Sequence, residues 1–129
     1  MRVLAIDHGA ARCGCAVSDP TGTIARPLVP ISPPDAGAVE RLGAELGAEL
    51  IVVGLPVSLD GSEGAQAAAA RAFAEEVAAA GEIPVETYDE RLTTRMAAAS
   101  RRAGSTAAED SLAAAHLLDS WLLAAEARR

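Results

Sequence analysis

Four short segments of this chain carry side chains that could do chemistry. The first, Ile6-Asp7-His8-Gly9-Ala10-Ala11-Arg12-Cys13-Gly14, sets an acid at the end of an apolar run and a glycine two residues later. A carboxylate leaving a buried strand is exposed at the sheet end, and a glycine beside it lets a phosphate or a metal ion approach the backbone. Taken alone, such a pattern also describes a turn acid that caps the next segment. The second segment, Gly54-Leu55-Pro56-Val57-Ser58-Leu59-Asp60-Gly61-Ser62-Glu63-Gly64, is a polar loop directly after an apolar run. Loops at strand C-termini are where α/β proteins place binding sites, and Ser62 is the expected cap of the helix that follows. The third, Tyr88-Asp89-Glu90-Arg91-Leu92-Thr93-Thr94, offers two acids and an arginine, with threonines placed to open a helix. Acids in that position also serve simply as partners of the helix dipole. The fourth is Glu109-Asp110. Asp110 shares a helical face with Ala113, Ala114, Leu117 and Trp121, so the spacing aims it at the sheet, where a carboxylate needs a partner.

The elements that must position these residues follow from periodicity. Runs rich in Val, Ile and Leu at 3–6, 28–31 and 50–55, a mixed one at 13–18 and a short one at 83–88 predict five strands. Asp19-Pro20-Thr21-Gly22 is turn chemistry, which makes the first three strands an antiparallel meander. The last two strands are each preceded by a helical stretch, as parallel strands reached by crossovers are. Val39, Leu42 and Leu46 mark one helix, and Ala69, Phe73 and Val77 a second that Gly81 and Pro84 end. A third helix is expected over 93–103 and a fourth from about Glu109, separated by Gly104-Ser105-Thr106. The expectation is one α/β domain over 1–129, a mixed five-stranded sheet flanked by helices.

Composition narrows the function. At 129 residues the chain has room for one core, and with only 2% aromatic residues that core is a thin aliphatic one. The formal net charge is -7, and all 11 basic residues are arginine. That balance argues against a passive nucleic-acid coat protein, which shows a basic excess. No run approaches the roughly 20 apolar residues of a membrane helix, and Asp7 interrupts the first run too early for a signal peptide. A soluble cytoplasmic protein with no membrane partner is expected, with Cys13 and Cys15 as reduced thiols lacking zinc-site spacing.

In order and spacing the four segments resemble the YqgF/RuvX family over essentially the whole chain. Asp7 to Asp19 follows its opening D-x-G-x-x-R-x-G-x-A-x-S-D pattern, and Gly54 to Gly64 its G-L-P-x-x-x-D-G-S-E-G loop. Asp89 to Thr94 reproduces D-E-R-L-T-T, and Asp110 to Ala114 follows D-x-L-A-A. The resemblance implies an RNase H-like fold and a nuclease of the integrase and resolvase superfamily. The family is described both as processing the 5′ end of pre-16S ribosomal RNA and as resolving Holliday junctions. It further implies three carboxylates that converge on Mg2+ or Mn2+ ions. Asp7 matches the first ligand, Glu90 the second with Asp89 as fallback, and Asp110 the third. Gly9, Arg12, Ser58, Asp60, Arg91 and Thr93 are the matching candidates for substrate contact. The chain departs from the pattern at Ala10 and Ala11, where the family usually has Thr and Lys, and in a basic stretch reduced to Arg101 and Arg102. Cys13 and Cys15 replace aliphatic residues, as core filler would, and His116 falls on a different face from Asp110, as a surface histidine would.

Three function classes follow. A metal-dependent endonuclease leads because the three acids are present. Its substrate is precursor ribosomal RNA, with the ribosomal particle as a partner, or branched DNA, which calls for a dimer. An ATPase of the actin and sugar-kinase type also opens with an acid and a glycine after its first strand, but needs two lobes. A non-catalytic interaction domain would keep the fold and lose the chemistry.

Overall fold

The structure is a computed structural model and describes residues 1–58, 60–92 and 109–128; at 92, 109 and 110 the backbone alone is described. Five strands form one mixed sheet: β1 (Val3–His8), β2 (Cys13–Ser18), β3 (Ala25–Ile31), β4 (Leu50–Leu55) and β5 (Val85–Asp89). Their spatial order is β3-β2-β1-β4-β5. β1 and β2 pair antiparallel, as do β2 and β3, whereas β4 lies parallel to β1 and β5 parallel to β4. This is the expected α/β arrangement, a meander followed by two crossovers.

Alternation divides the sheet residues between two cores. Leu4, Ile6, Cys13, Cys15, Ile51 and Val53 point to the face covered by α1 (Ala36–Leu46) and α2 (Ala65–Ala80), where Val39, Phe73 and Val77 meet them. Val3, Ala5, Ala16, Leu50 and Val52 point to the opposite face, against Ala114, Leu117, Leu118 and Trp121 of α3 (Glu109–Ala127). With both faces covered, β1, β2 and β4 read as continuous apolar runs rather than alternating ones. The helix expected over 93–103, with Thr93 at its start, lies outside the described residues.

Several local expectations shift. α1 is capped by Asp35, whose carboxylate accepts from the Ala38 amide, and ends on Gly47 at φ 70°. α2 begins after Gly64 with no side-chain cap, so Ser62 does not cap it. The buried stripe of α2 uses Ala67, Ala70, Phe73, Ala74 and Val77, and Ala69 faces solvent. β3 starts three residues before the apolar run because it is an edge strand, where Pro27 and Arg26 are tolerated. Between Cys13↔Ile31 and Cys15↔Leu28 its register with β2 slips by one residue, a bulge at Val29 and Pro30.

Candidate active site

β1 carries Asp7 to the C-terminal end of the parallel strands. Following Val3 and Ala5 in the period of two, it faces α3, half-buried. Its cross-strand partner on β2 is Gly14, and because Ile6 pairs with Val53, the next β4 residue alongside is Gly54. Asp7 therefore sits between two glycines, in a trough cut into the sheet.

Glu90 fills the far side of that trough. β5 ends at Asp89 and turns at once into a single 3-10 turn, Glu90–Leu92. A Cβ on Gly54 would lie 3.1 Å from Glu90 Cγ, 3.2 Å from its Cδ and 3.0 Å from Leu117 Cδ2. The Glu90 side chain thus crosses directly over Gly54, on the α3 face that Asp7 also shares. Asp89 is engaged elsewhere. Both its carboxylate oxygens accept from the Arg91 guanidinium at 2.7 to 3.1 Å, and it also accepts from the Arg91 amide. Those bonds from Arg91 hold the Asp89 carboxyl below the usual carboxylate range. The geometry separates the two acids: one is an arginine's ionic partner, and the other lies across the glycine from Asp7.

The strand-to-loop turn after Asp7 is tight. The Gly9 amide donates to the Arg12 carbonyl at 3.0 Å, and a Cβ on Gly9 would come within 2.9 Å of that oxygen, so the turn accepts only glycine without shifting. A cleft of about 260 Å3 lies along Asp7 to Arg12, with Arg12 exposed at its rim. His8 points the other way, its ring 4.7 Å from that of Phe73; burial lowers its pKa while the Glu76 charge opposes this. It packs the α2 face.

The loop after β4 closes on itself. The Ser58 amide donates to the Ser62 carbonyl at 3.0 Å, the Gly61 amide donates to the Ser58 carbonyl, and Asp60 accepts from both the amide and the hydroxyl of Ser62. Glu63 pairs with Arg71 of α2 through two bonds. Arg91 Nη1 lies 3.8 Å from the Cβ position of Gly61, so this arginine joins the loop to the end of β5. Asp60 and Arg91 feel each other's charge. Ser58, Asp60 and Arg91 are thus gathered on one exposed rim, while Thr93 lies outside the described residues.

α3 approaches from above. Its backbone places Asp110 in the first turn, followed by Ser111, which is wholly buried and accepts from the Cys15 amide at 3.2 Å. Ser111 continues the buried stripe Ala114, Leu118 and Trp121 at helical spacing, which motif order alone does not single out. Nor does motif order single out Gly14 and Gly54. Further along α3, Ser120 Oγ bonds Tyr88 Oη at 2.9 Å and Trp121 Nε1 donates to Glu86 at 2.6 Å. His116 is half-buried rather than at the surface, close enough to influence the charge of Asp119. Cys13 and Cys15 are fully buried, and burial pushes their thiols up to about 12 and about 11, which suits core filler. Among the described residues no group of three or more His, Cys, Asp and Glu is placed to hold a metal ion.

The family model described as RuvX, Holliday junction resolvase, matches residues 1–124. The chain belongs to the RuvX family. Among its RuvX relatives, a protein of Anaeromyxobacter sp. (strain Fw109-5) is 43% identical over 132 residues, covering 95% of this chain and 96% of that one. One of Thermobifida fusca (strain YX) is 45% identical over 106 residues, covering 80% and 67%. Both bear the name "Putative pre-16S rRNA nuclease". In fold, this RuvX chain is similar to the T. thermophilus RuvC chain solved in complex with a Holliday junction substrate. The TM-score is 0.62 at 18% identity, covering 97% of this chain and 96% of that one. That likeness bears out the RNase H-like α/β architecture. No helix among the described residues is long and apolar enough to cross a membrane.

Proposed function

We propose that this chain is a divalent-metal-dependent endonuclease that hydrolyses phosphodiester bonds, with precursor small-subunit ribosomal RNA as its substrate. The observation that carries the reading is the approach of Glu90 across Gly54 on the face to which β1 directs Asp7. Two carboxylates so placed, with Asp110 in the first turn of the helix above, suit a hard cation such as Mg2+ or Mn2+, which prefers oxygen ligands. The trough fits as well, because a side chain at 54 would press against Glu90. When bound, such ions supply charge neutralisation for an in-line displacement at phosphorus.

The chain's own residues account for the rest of the proposal. Asp7, Glu90 and Asp110 hold the metal, and Gly9 serves substrate contact by permitting the tight turn that brings Arg12 to the rim of the cleft. Arg12 and Arg91 meet the flanking phosphates, with Arg91 oriented by Asp89. Ser58 and Asp60 line the rim on the β4 side, and Thr93, outside the described residues, is assigned to substrate contact by its motif alone. An acidic chain, with a formal net charge of -7, fits a substrate presented on a ribosomal particle in the cytoplasm. The family description and the fold shared with RuvC favour a second reading, a Holliday junction resolvase, which would act as a dimer.

The test compares cleavage of a pre-16S RNA fragment and of a synthetic four-way DNA junction, by wild type and Asp7→Asn, with Mg2+, Mn2+ or EDTA. Metal-dependent cutting lost in the variant is expected, with the RNA preferred. Cutting that survives Asp7→Asn refutes the site, and cutting confined to the junction replaces the first substrate with the second.

A further inference from the structure

Helix α3 meets the sheet mainly through Ala114, Ala115, Leu117 and Leu118. Contacts of that kind are non-directional, and small alanines interlock weakly, so apolar packing alone leaves a helix free to settle at neighbouring positions along its axis. Polar contacts to the sheet remove that freedom. Just past the middle of α3, Ser120 and Trp121 bond Tyr88 and Glu86 of β5 and Asp119 meets the Ala25 backbone of β3, while in its first turn Ser111 accepts from the Cys15 amide of β2.

The Ser111 contact is the one next to the acids. Ser111 follows Asp110 directly, Cys15 follows Gly14 directly, and Gly14 is the register partner of Asp7. Two peptide neighbours, one hydrogen bond and one strand pairing therefore connect the backbone of Asp110 to that of Asp7. The contact also falls where the β2 and β3 registers slip, a place where a strand amide can be given to a partner outside the ladder. A hydrogen bond is satisfied only within a few tenths of an ångström, so this bond fixes how far α3 advances over β2.

We propose that Ser111 is a positioning residue: its hydroxyl sets the advance of α3 so that Asp110 reaches the site of Asp7 and Glu90. The inference rests on the reading of these three acids as metal-holding groups. It assigns a function to the residue between the acid and the Leu-Ala-Ala of the last motif, a position whose type that motif leaves open.

The test uses the full chain, with Mn2+ alone as the probe and titration calorimetry as the readout. The variants are Ser111→Ala and, as a matched control, Ser120→Ala, which removes a comparable buried hydroxyl farther along α3 from the acids. Ser111→Ala is expected to weaken Mn2+ binding by about tenfold, the effect of losing a group that orients a ligand, while Ser120→Ala stays within twofold of wild type. In the metal-free protein, the Cys15 amide should exchange faster in Ser111→Ala only. If Ser111→Ala does not fold, Ser111→Cys, which fills similar space with a weaker acceptor, takes its place with the same expectation. Equal Mn2+ affinity in the Ser111 variant and wild type, or equal losses in the Ser111 and Ser120 variants, overturns the proposal. Failure of the underlying metal reading looks different: wild type itself then binds no Mn2+ that Asp7→Asn abolishes.

Discussion

Replacing Gly54 by alanine separates the chemistry of the trough from its stability. The added methyl would stand 3.0 Å from Leu117 Cδ2 and 3.1 Å from Glu90 Cγ, closer than the 3.5 to 4.0 Å at which carbon atoms attract. Something must give by a few tenths of an ångström. Leu117 is locked in the core at 1% exposure, whereas Glu90 is half-buried and can rotate, so Glu90 moves. Overpacking by one methyl costs about 1–3 kcal/mol. Replacing glycine also restricts the unfolded chain and returns about 0.4–1 kcal/mol. The net loss is then at most about 2.6 kcal/mol. Against a total stability of about 5–15 kcal/mol, the variant stays more than roughly 98% folded. Activity behaves differently, because Glu90 clears the methyl by rotating, which carries its carboxylate oxygens farther than Cγ itself, to about 1 Å, and a displacement of that size costs on the order of 100-fold. The expected result is a Gly54→Ala protein that melts cooperatively within about 10 °C of wild type yet loses on the order of 100-fold in metal-dependent cleavage. Urea unfolding and cleavage rates on one preparation check this. Activity within twofold of wild type, or a loss that tracks the unfolded fraction, refutes the argument that Gly54 exists to clear space for Glu90.

Two further outcomes follow from the same geometry. The folded-state pKa of Asp89 lies below its unfolded value near 3.9, so its bond to Arg91 stabilises the fold above that pH and the contribution is lost as pH falls through the folded value. Arg91→Ala should therefore melt below wild type at pH 7, with the gap closing as pH drops below about 4; melting curves across pH check this, and a constant gap refutes it. Cys13 and Cys15, buried with raised pKa, should resist a thiol reagent at pH 8 in the native protein and react fully in urea. Rapid native labelling would show that this core opens.

Much of the fold was legible because strand runs covered on both faces are uninterrupted, and β2 and β4 were bounded to the residue. Legibility failed where side chains lose contrast or where geometry depends on a distant partner. In α2 nearly every candidate is alanine, so size could not distinguish Ala69 from Ala70. In β3, Pro27 and Arg26 break the apolar pattern, yet an edge strand accepts both. In the site, order and spacing of motifs singled out the acids, but which face of the sheet Asp89 and Glu90 each take is read only from the strand register, since adjacent residues at a strand end face opposite ways. Ser111 and Gly54 were invisible for a related reason. Each acts on a residue remote in sequence, and only the packed helix and sheet reveal the space or bond involved.

The bond between Trp121 and Glu86 gives the protein a built-in optical reporter. Trp121 is the chain's single tryptophan, 7% exposed, and its indole N–H is held by a carboxylate on β5. All tryptophan emission therefore originates at the contact between the last helix and the last strand. Seating of that helix during refolding can be followed by intrinsic fluorescence, without a label, as a shift from the red emission of hydrated indole to the blue emission of a buried one.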